Sequence, residues 1–281
     1  MARPFYITDV FAEGPYAGNQ LATLFDAAGL AAAEMQKIAR EFNFAETTFV
    51  MGGDAEQGFD VRIFTPAEEL PFAGHPTLGT AFLLRELVTG SGQQTLCLNL
   101  PVGKIQVSFA EDGIVWMTQQ QPIFGETLAH GVIAAELGLV EDQLDQQFPV
   151  QLVSTGLEFL LVPVRHLADL QAIVPRADAS HRAILAFCVG GYEPDQAIAA
   201  RMFAPGLGVV EDAATGSANG CLAAYLVAHG YLGSATIDLR VGQGYEIGRP
   251  SQLSLKAHKM GSHFTIKVGG RVRLVARGEF L

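Results

Sequence analysis

Basic residues are scarce in this 281-residue chain: 18 Lys and Arg stand against 29 Asp and Glu, a net charge of −11. Phosphate neutralisation needs clustered Lys and Arg, and no basic run appears, so nucleic-acid binding is excluded as an expectation. Cysteine is nearly absent. Cys97, Cys188 and Cys221 are odd in number, far apart and form no CxxC, which excludes a disulfide framework and fits a reduced, cytoplasmic protein. No uninterrupted apolar segment reaches the roughly 20 residues that span a bilayer. The start, Met1 to Tyr6, lacks the apolar stretch of a signal peptide. Walker motifs are missing. Gly242-Gln243-Gly244 is followed by glycine at 248, one residue late for GxGxxG, with strand-like residues after it. The seven histidines make no HExxH or other ligand spacing, so neither a metal nor a nucleotide cofactor is expected.

What is present is a globular composition, 49% hydrophobic and 17% charged, on a chain long enough for one large domain or two half-size lobes. Short strands dominate. A period-2 pattern predicts a hairpin from Lys104–Phe109 through Asp112-Gly113 to Ile114–Met117, and another across Gly269-Gly270. Met35, Ile38, Ala39 and Phe42 carry the spacing of a half-buried helix. Two further helices are apolar nearly all round, one from Pro76 to Leu84 and one from Ala218 to a stop at Gly230. A helix without a polar face must be surrounded by protein, so each is expected at the centre of its own β-rich lobe.

The strongest organisational signal is a repeat. Arg62-Ile63-Phe64-Thr65-Pro66 recurs 139 residues later as Arg201-Met202-Phe203-Ala204-Pro205. Each copy leads to a Gly-bearing turn, Gly74-His75-Pro76-Thr77 or Thr215-Gly216-Ser217, and each turn opens one apolar helix. Matching order at two places predicts an α+β fold of two duplicated lobes, each a strongly curved sheet or barrel around its helix. Residues 1–120 are expected to form the first lobe, joined by a final strand at 271–281, and residues 121–270 the second.

Buried helix N-termini present unpaired amides and partial positive charge. Two of them facing each other would hold a small carboxylate between the lobes. Well-capped core helices are the plainer alternative. Near the turns sit groups able to move protons. His75 lies at the first helix entrance, Asp212 and Ser217 flank the second, and Glu46 precedes an apolar strand. Apolar surroundings would raise a glutamate's pKa and suit acid/base work, whereas a solvated turn would leave it ordinary. For His75 the alternative is capping or a satisfied core position. For Asp212 and Ser217 it is N-capping.

Three segments, Phe44–Phe49, Pro71–Ala81 and Glu211–Ala218, resemble the signature segments of the phenazine-biosynthesis PhzF-like family. Ala17–Ala22, Gln243-Gly244 with Gly248–Ser251, and Gly269-Gly270 with Gly278-Glu279 extend the similarity over the whole chain. The resemblance implies a diaminopimelate-epimerase-like fold, usually a homodimer, that works without metal, nicotinamide or flavin. It implies Glu46 as the acid/base glutamate and His75, Asp212 and Ser217 as substrate-positioning groups; the helix-entry amides at Gly74 and Gly216 would then hold the substrate carboxylate. In the family's best-understood member the glutamate moves a proton between ring carbons of dihydro-3-hydroxyanthranilate.

Three rivals remain. Epimerases of the same fold use a cysteine at each helix entrance; here the turns carry Gly74-His75 and Gly216-Ser217, and Cys221 stands four residues late. A serine hydrolase at Ser217 would lack the GxSxG elbow. A non-catalytic metabolite-binding protein would use the same pocket. The resemblance leaves the substrate open between the phenazine precursor and another small carboxylate or amino acid.

Overall fold

The computed structural model describes residues 3–174 and 182–280; His181 of the histidine count and the ends of the expected 1–120 lobe and 271–281 strand fall outside these. The chain divides into two compact units, one of Met1–Thr118 with Gly269–Leu281 and one of Gln119–Val268.

The first unit opens with β1 (Arg3–Val10) and β2 (Asn19–Leu24), an antiparallel pair. Helix α1 (Ala32–Phe42) then crosses over to β3 (Glu46–Asp54), which lies parallel to β2. Met35 and Ala39 are the buried face of α1, as the periodicity predicts. β4 (Gly58–Phe64) turns back antiparallel to β3 and pairs with the short β5 (Glu69–Leu70). Helix α2 (Gly74–Leu84) crosses to β6 (Thr95–Leu100), parallel to β4, and β7 (Gly103–Phe109) and β8 (Val115–Thr118) follow as antiparallel neighbours.

The second unit repeats this order. β9 (Ile123–Leu128) and helix α3 (His130–Glu136) precede an antiparallel pair, β10 (Val150–Ser154) and β11 (Glu158–Pro163). Helix α4 (Leu167–Ala172) leads towards β12 (Ile184–Val189), parallel to β11. β13 (Ile198–Ala204) is antiparallel to β12 and pairs with the short β14 (Val209–Asp212). Helix α5 (Gly216–Ala228) crosses to β15 (Thr236–Gln243), parallel to β13, and β16 (Ser251–Met260) returns antiparallel. β17 (His263–Gly270) precedes β18 (Val272–Phe280), which pairs with β1 from Val10↔Val272 to Arg3↔Phe280.

In each unit the second crossover helix is the core. All of α2 but Phe82 is buried, and it touches β1, β2, β3, β6, β7 and β8. In α5 twelve of thirteen residues are buried, against β10, β11, β15 and β16. Burying one Leu or Val side chain stabilises by about 1.5–3 kcal/mol, so a helix apolar all round is retained only inside a sheet. Gly79 lets α2 approach closely: a Cβ there would lie 2.6 Å from Leu21 Cδ2 and 2.9 Å from Val10 Cγ2. α5 ends as its sequence suggests, with Gly230 at φ +61 and the Tyr231 amide donating to the Leu226 carbonyl at 2.9 Å.

Two expectations need correction. Both central helices start two residues earlier than expected, at Gly74 and Gly216, because the extended residues Ala73 and Thr215 are the N-caps. Gly269 and Gly270 form no tight hairpin turn. Neither has positive φ, and both continue β17. Gly269 is there for space, since a Cβ would meet the Trp116 ring at 2.6 Å.

Candidate active site

Glu46 is the first residue of β3, held opposite Leu21 of β2. Its side chain is 16% exposed, and its Oε2 lies 3.5 Å from Nε2 of His75, the second residue of α2. The solvated-turn alternative for Glu46 is thereby removed. A buried threonine ladder keeps strand and helix in step. Thr80 of α2 donates to Thr48 Oγ1 at 2.8 Å, and Thr48 Oγ1 is 2.8 Å from Thr23 Oγ1 of β2. Thr48 is two residues from Glu46 and Thr80 five from His75, so the ladder ties together the strand and the helix that carry them.

His75 is 4% exposed. Burial pushes its pKa down to about 3, against the opposing effect of a hydrogen bond with the Gln20 backbone. The imidazole is therefore neutral at pH 7, and its contact with Glu46 is not an ion pair. Nδ1 is 3.4 Å from Asn19 Nδ2. Nε2 makes no aligned hydrogen bond among the described residues. Gly74, the first residue of α2, precedes it at a helix entrance with no side-chain cap.

In the second unit Arg201 of β13 is 2% exposed and grips Glu211 of β14 through Nε–Oε1 at 2.9 Å and Nη2–Oε2 at 2.8 Å. Asp212 follows directly. Its Oδ2 accepts a 2.6 Å hydrogen bond from Thr215 Oγ1. Gly216 and Ser217 are the first two residues of α5, both buried. The N-capping alternative for Asp212 and Ser217 is not met: Thr215 is the N-cap, with no side-chain cap bond. Neither N-cap residue makes a side-chain cap bond, and helix entrances of this kind can bind anions.

The structure brings Glu46, His75 and Gly74 together in the first unit and Asp212, Gly216 and Ser217 together in the second. Residue-by-residue reading gave no role to Asn19, Thr215 or Gln243, although Ala17–Ala22 and Gln243-Gly244 carried the resemblance. Their partners are 56, 3 and 31 positions away. Only spatial proximity reveals the two long-range contacts.

Cys221 lies inside α5, past the helix entrance. It is fully buried, and burial raises its pKa to about 12 despite a hydrogen bond with Thr155. Its Sγ donates to the Leu157 carbonyl at 3.6 Å. Among the described residues no group of His, Cys, Asp and Glu is arranged to hold a metal ion. No helix among them is long and apolar enough to cross a membrane.

Residues 8–278 match the family described as phenazine biosynthesis-like protein. The chain is 36% identical to a trans-2,3-dihydro-3-hydroxyanthranilate isomerase from Pseudomonas aeruginosa, over 98% of both chains. A PhzF-family protein of Bacillus anthracis superposes with a TM-score of 0.91 at 27% identity, covering 100% of this chain and 99% of that one. A predicted epimerase from Pseudomonas aeruginosa gives a TM-score of 0.81 at 35% identity, with 99% of each chain covered. With its duplicated α+β, diaminopimelate-epimerase-like fold and a sequence match over nearly its whole length, the chain belongs to the PhzF-like phenazine biosynthesis family.

Proposed function

We propose that this protein is an acid/base isomerase that moves a proton on a small carboxylate, with Glu46 taking the proton at one carbon and returning it at another. The observation that carries this reading is the 3.5 Å approach of the Glu46 carboxyl to a buried, neutral His75. One carboxyl serves as base and then acid when both substrate carbons lie within reach of the same oxygen. A neutral imidazole beside it can donate to or accept from the substrate without neutralising Glu46. Each unit by itself offers a helix entrance without a side-chain cap, at Gly74 in the first and at Gly216-Ser217 in the second, whose amides suit a carboxylate, and Asp212 in the second unit is an acceptor that suits an amine.

The substrate we propose is trans-2,3-dihydro-3-hydroxyanthranilate, after the name of the 36% identical relative. That molecule has the carboxylate and the amine which these groups suit. A homodimer is the expected assembly from family resemblance, and the net charge of −11 speaks against a nucleic-acid partner. The test is incubation of the purified protein with this compound in deuterated water. Product carrying deuterium, seen by NMR, is the expected result. Unchanged substrate would remove the compound from the proposal, and binding without conversion would favour a metabolite-binding protein.

A further inference from the structure

Gln243 is the last residue of β15 and fully buried. Its amide uses all four of its hydrogen-bonding positions. Nε2 donates to the Asp212 backbone carbonyl at 3.0 Å and to Thr215 Oγ1 at 3.2 Å. Oε1 accepts from the Thr215 backbone amide at 3.4 Å and from Asn219 Nδ2 at 2.9 Å. The backbone carbonyl of Asp212 can only accept and the backbone amide of Thr215 can only donate. The amide therefore has one permitted orientation.

The ring of contacts closes on the candidate site. Thr215 Oγ1 receives one hydrogen bond from Gln243 and gives its own proton to Asp212 Oδ2 at 2.6 Å. Asn219, one turn into α5, donates to the Thr215 carbonyl at 3.0 Å as well as to Gln243. Gln243 thus connects the Asp212 main chain, the N-cap of α5 and the first turn of that helix. Behind it, Gly244 stands at φ +79, and a Cβ there would meet the Ala213 and Arg249 carbonyls at 2.5 Å. The segment holding the amide has little room to shift.

We infer that Gln243 is a positioning residue: it sets the direction of the Asp212 carboxylate, through Thr215, relative to the first-turn amides of α5. This rests on the reading of Asp212 and the α5 entrance as substrate-binding groups. A glutamate here would keep the acceptor side but set a second oxygen against the Asp212 carbonyl. The Thr215 hydroxyl would then turn to the new carboxylate and leave Asp212 Oδ2.

The experiment compares Gln243→Glu, Gln243→Leu and Asp212→Asn with the parent. It measures kcat and KM for trans-2,3-dihydro-3-hydroxyanthranilate, melting temperature, and hydrogen exchange over residues 212–219. The expected result is a KM raised at least about tenfold in Gln243→Glu with faster exchange at Thr215–Asn219. A merely structural role would lower the active fraction, and hence apparent kcat, with KM unchanged. Gln243→Leu removes all four of these hydrogen bonds; if it does not fold, Gln243→Glu carries the test. Parent-like KM and exchange in Gln243→Glu, with Asp212→Asn impaired, would overturn the inference alone. A fully active Asp212→Asn would bring down the site reading and the inference with it. If the compound is not turned over, unchanged exchange at 212–219 is enough to reject it.

Discussion

Arg201 grips Glu211 through two parallel hydrogen bonds, with its Nη1 bonded to the Leu170, Gln171 and Ile173 carbonyls at 3.0, 3.3 and 2.7 Å. The first unit holds a counterpart: Arg62 meets Glu69 at 2.7 and 2.6 Å, and each arginine lies over the phenylalanine two residues on. The two clamps differ in burial. The side chains of Arg201 and Glu211 are 3% and 4% exposed, those of Arg62 and Glu69 29% and 33%.

That difference sets the first prediction. Removing one partner of a buried pair leaves an uncompensated charge and costs about 3–5 kcal/mol, whereas partly exposed pairs contribute about 0–1 kcal/mol. Arg201→Ala is expected to lower the urea midpoint strongly, and Arg62→Ala only slightly. Equal midpoints for the two variants would contradict the burial argument.

Glu46→Gln changes only the acid/base capacity of the side chain. The amide is isosteric and can still face the neutral imidazole of His75, so the melting temperature should stay close to that of the parent. Turnover should fall about 10²–10⁴-fold, the usual contribution of a positioned general acid/base. Deuterium incorporation followed by NMR measures it. Full turnover in the variant would refute the assignment.

Cys188 and Cys221 are both buried, and burial pushes both thiols up to about 12. The thiolate is the reactive form, so native protein at pH 8 should resist iodoacetamide at both positions, as read by mass spectrometry. Cys221→Ala should keep turnover within about twofold while losing about 1 kcal/mol of stability to the small cavity. Loss of activity in a folded Cys221→Ala would reopen the two-thiol reading.

The fold was legible where residue patterns reflect burial directly. The i, i+3, i+4, i+7 spacing around Met35 found α1, and all-round apolarity found α2 and α5. The recurrence of RxFxP found the duplication, because the arginine and the phenylalanine do the same work in both units. Helix starts were missed by two residues because Gly74 and Gly216 are weak helix formers that read as turn; their N-caps, Ala73 and Thr215, make no side-chain cap bond to mark them. Gly269-Gly270 misled for a related reason. Glycine marks a turn or a close approach equally well, and here the Trp116 ring decides. At the candidate site, Glu46 and His75 were visible as types of residue. Their 3.5 Å contact across 29 positions was not, nor were the 56 positions separating Asn19 from His75.

The buried state of His75 makes acid stability a test of the site. In the unfolded chain an ordinary imidazole takes a proton near pH 6.5; in the folded protein burial holds this one back until about pH 3. Above pH 6.5 neither state binds the proton, and His75 adds no pH dependence. Between pH 6.5 and about 3 the unfolded state binds more protons. Stability therefore falls as the pH drops through this window, by about 1.4 kcal/mol per pH unit from this residue. His75→Asn removes the titration. Parent and variant carry the same other ionisable groups, so the difference between their urea-unfolding free energies isolates His75. The parent should lose its advantage steadily from pH 6.5 to pH 4. A difference constant across that range would mean that the imidazole protonates normally in the folded protein, and that burial does not hold it neutral beside Glu46 below pH 6.5.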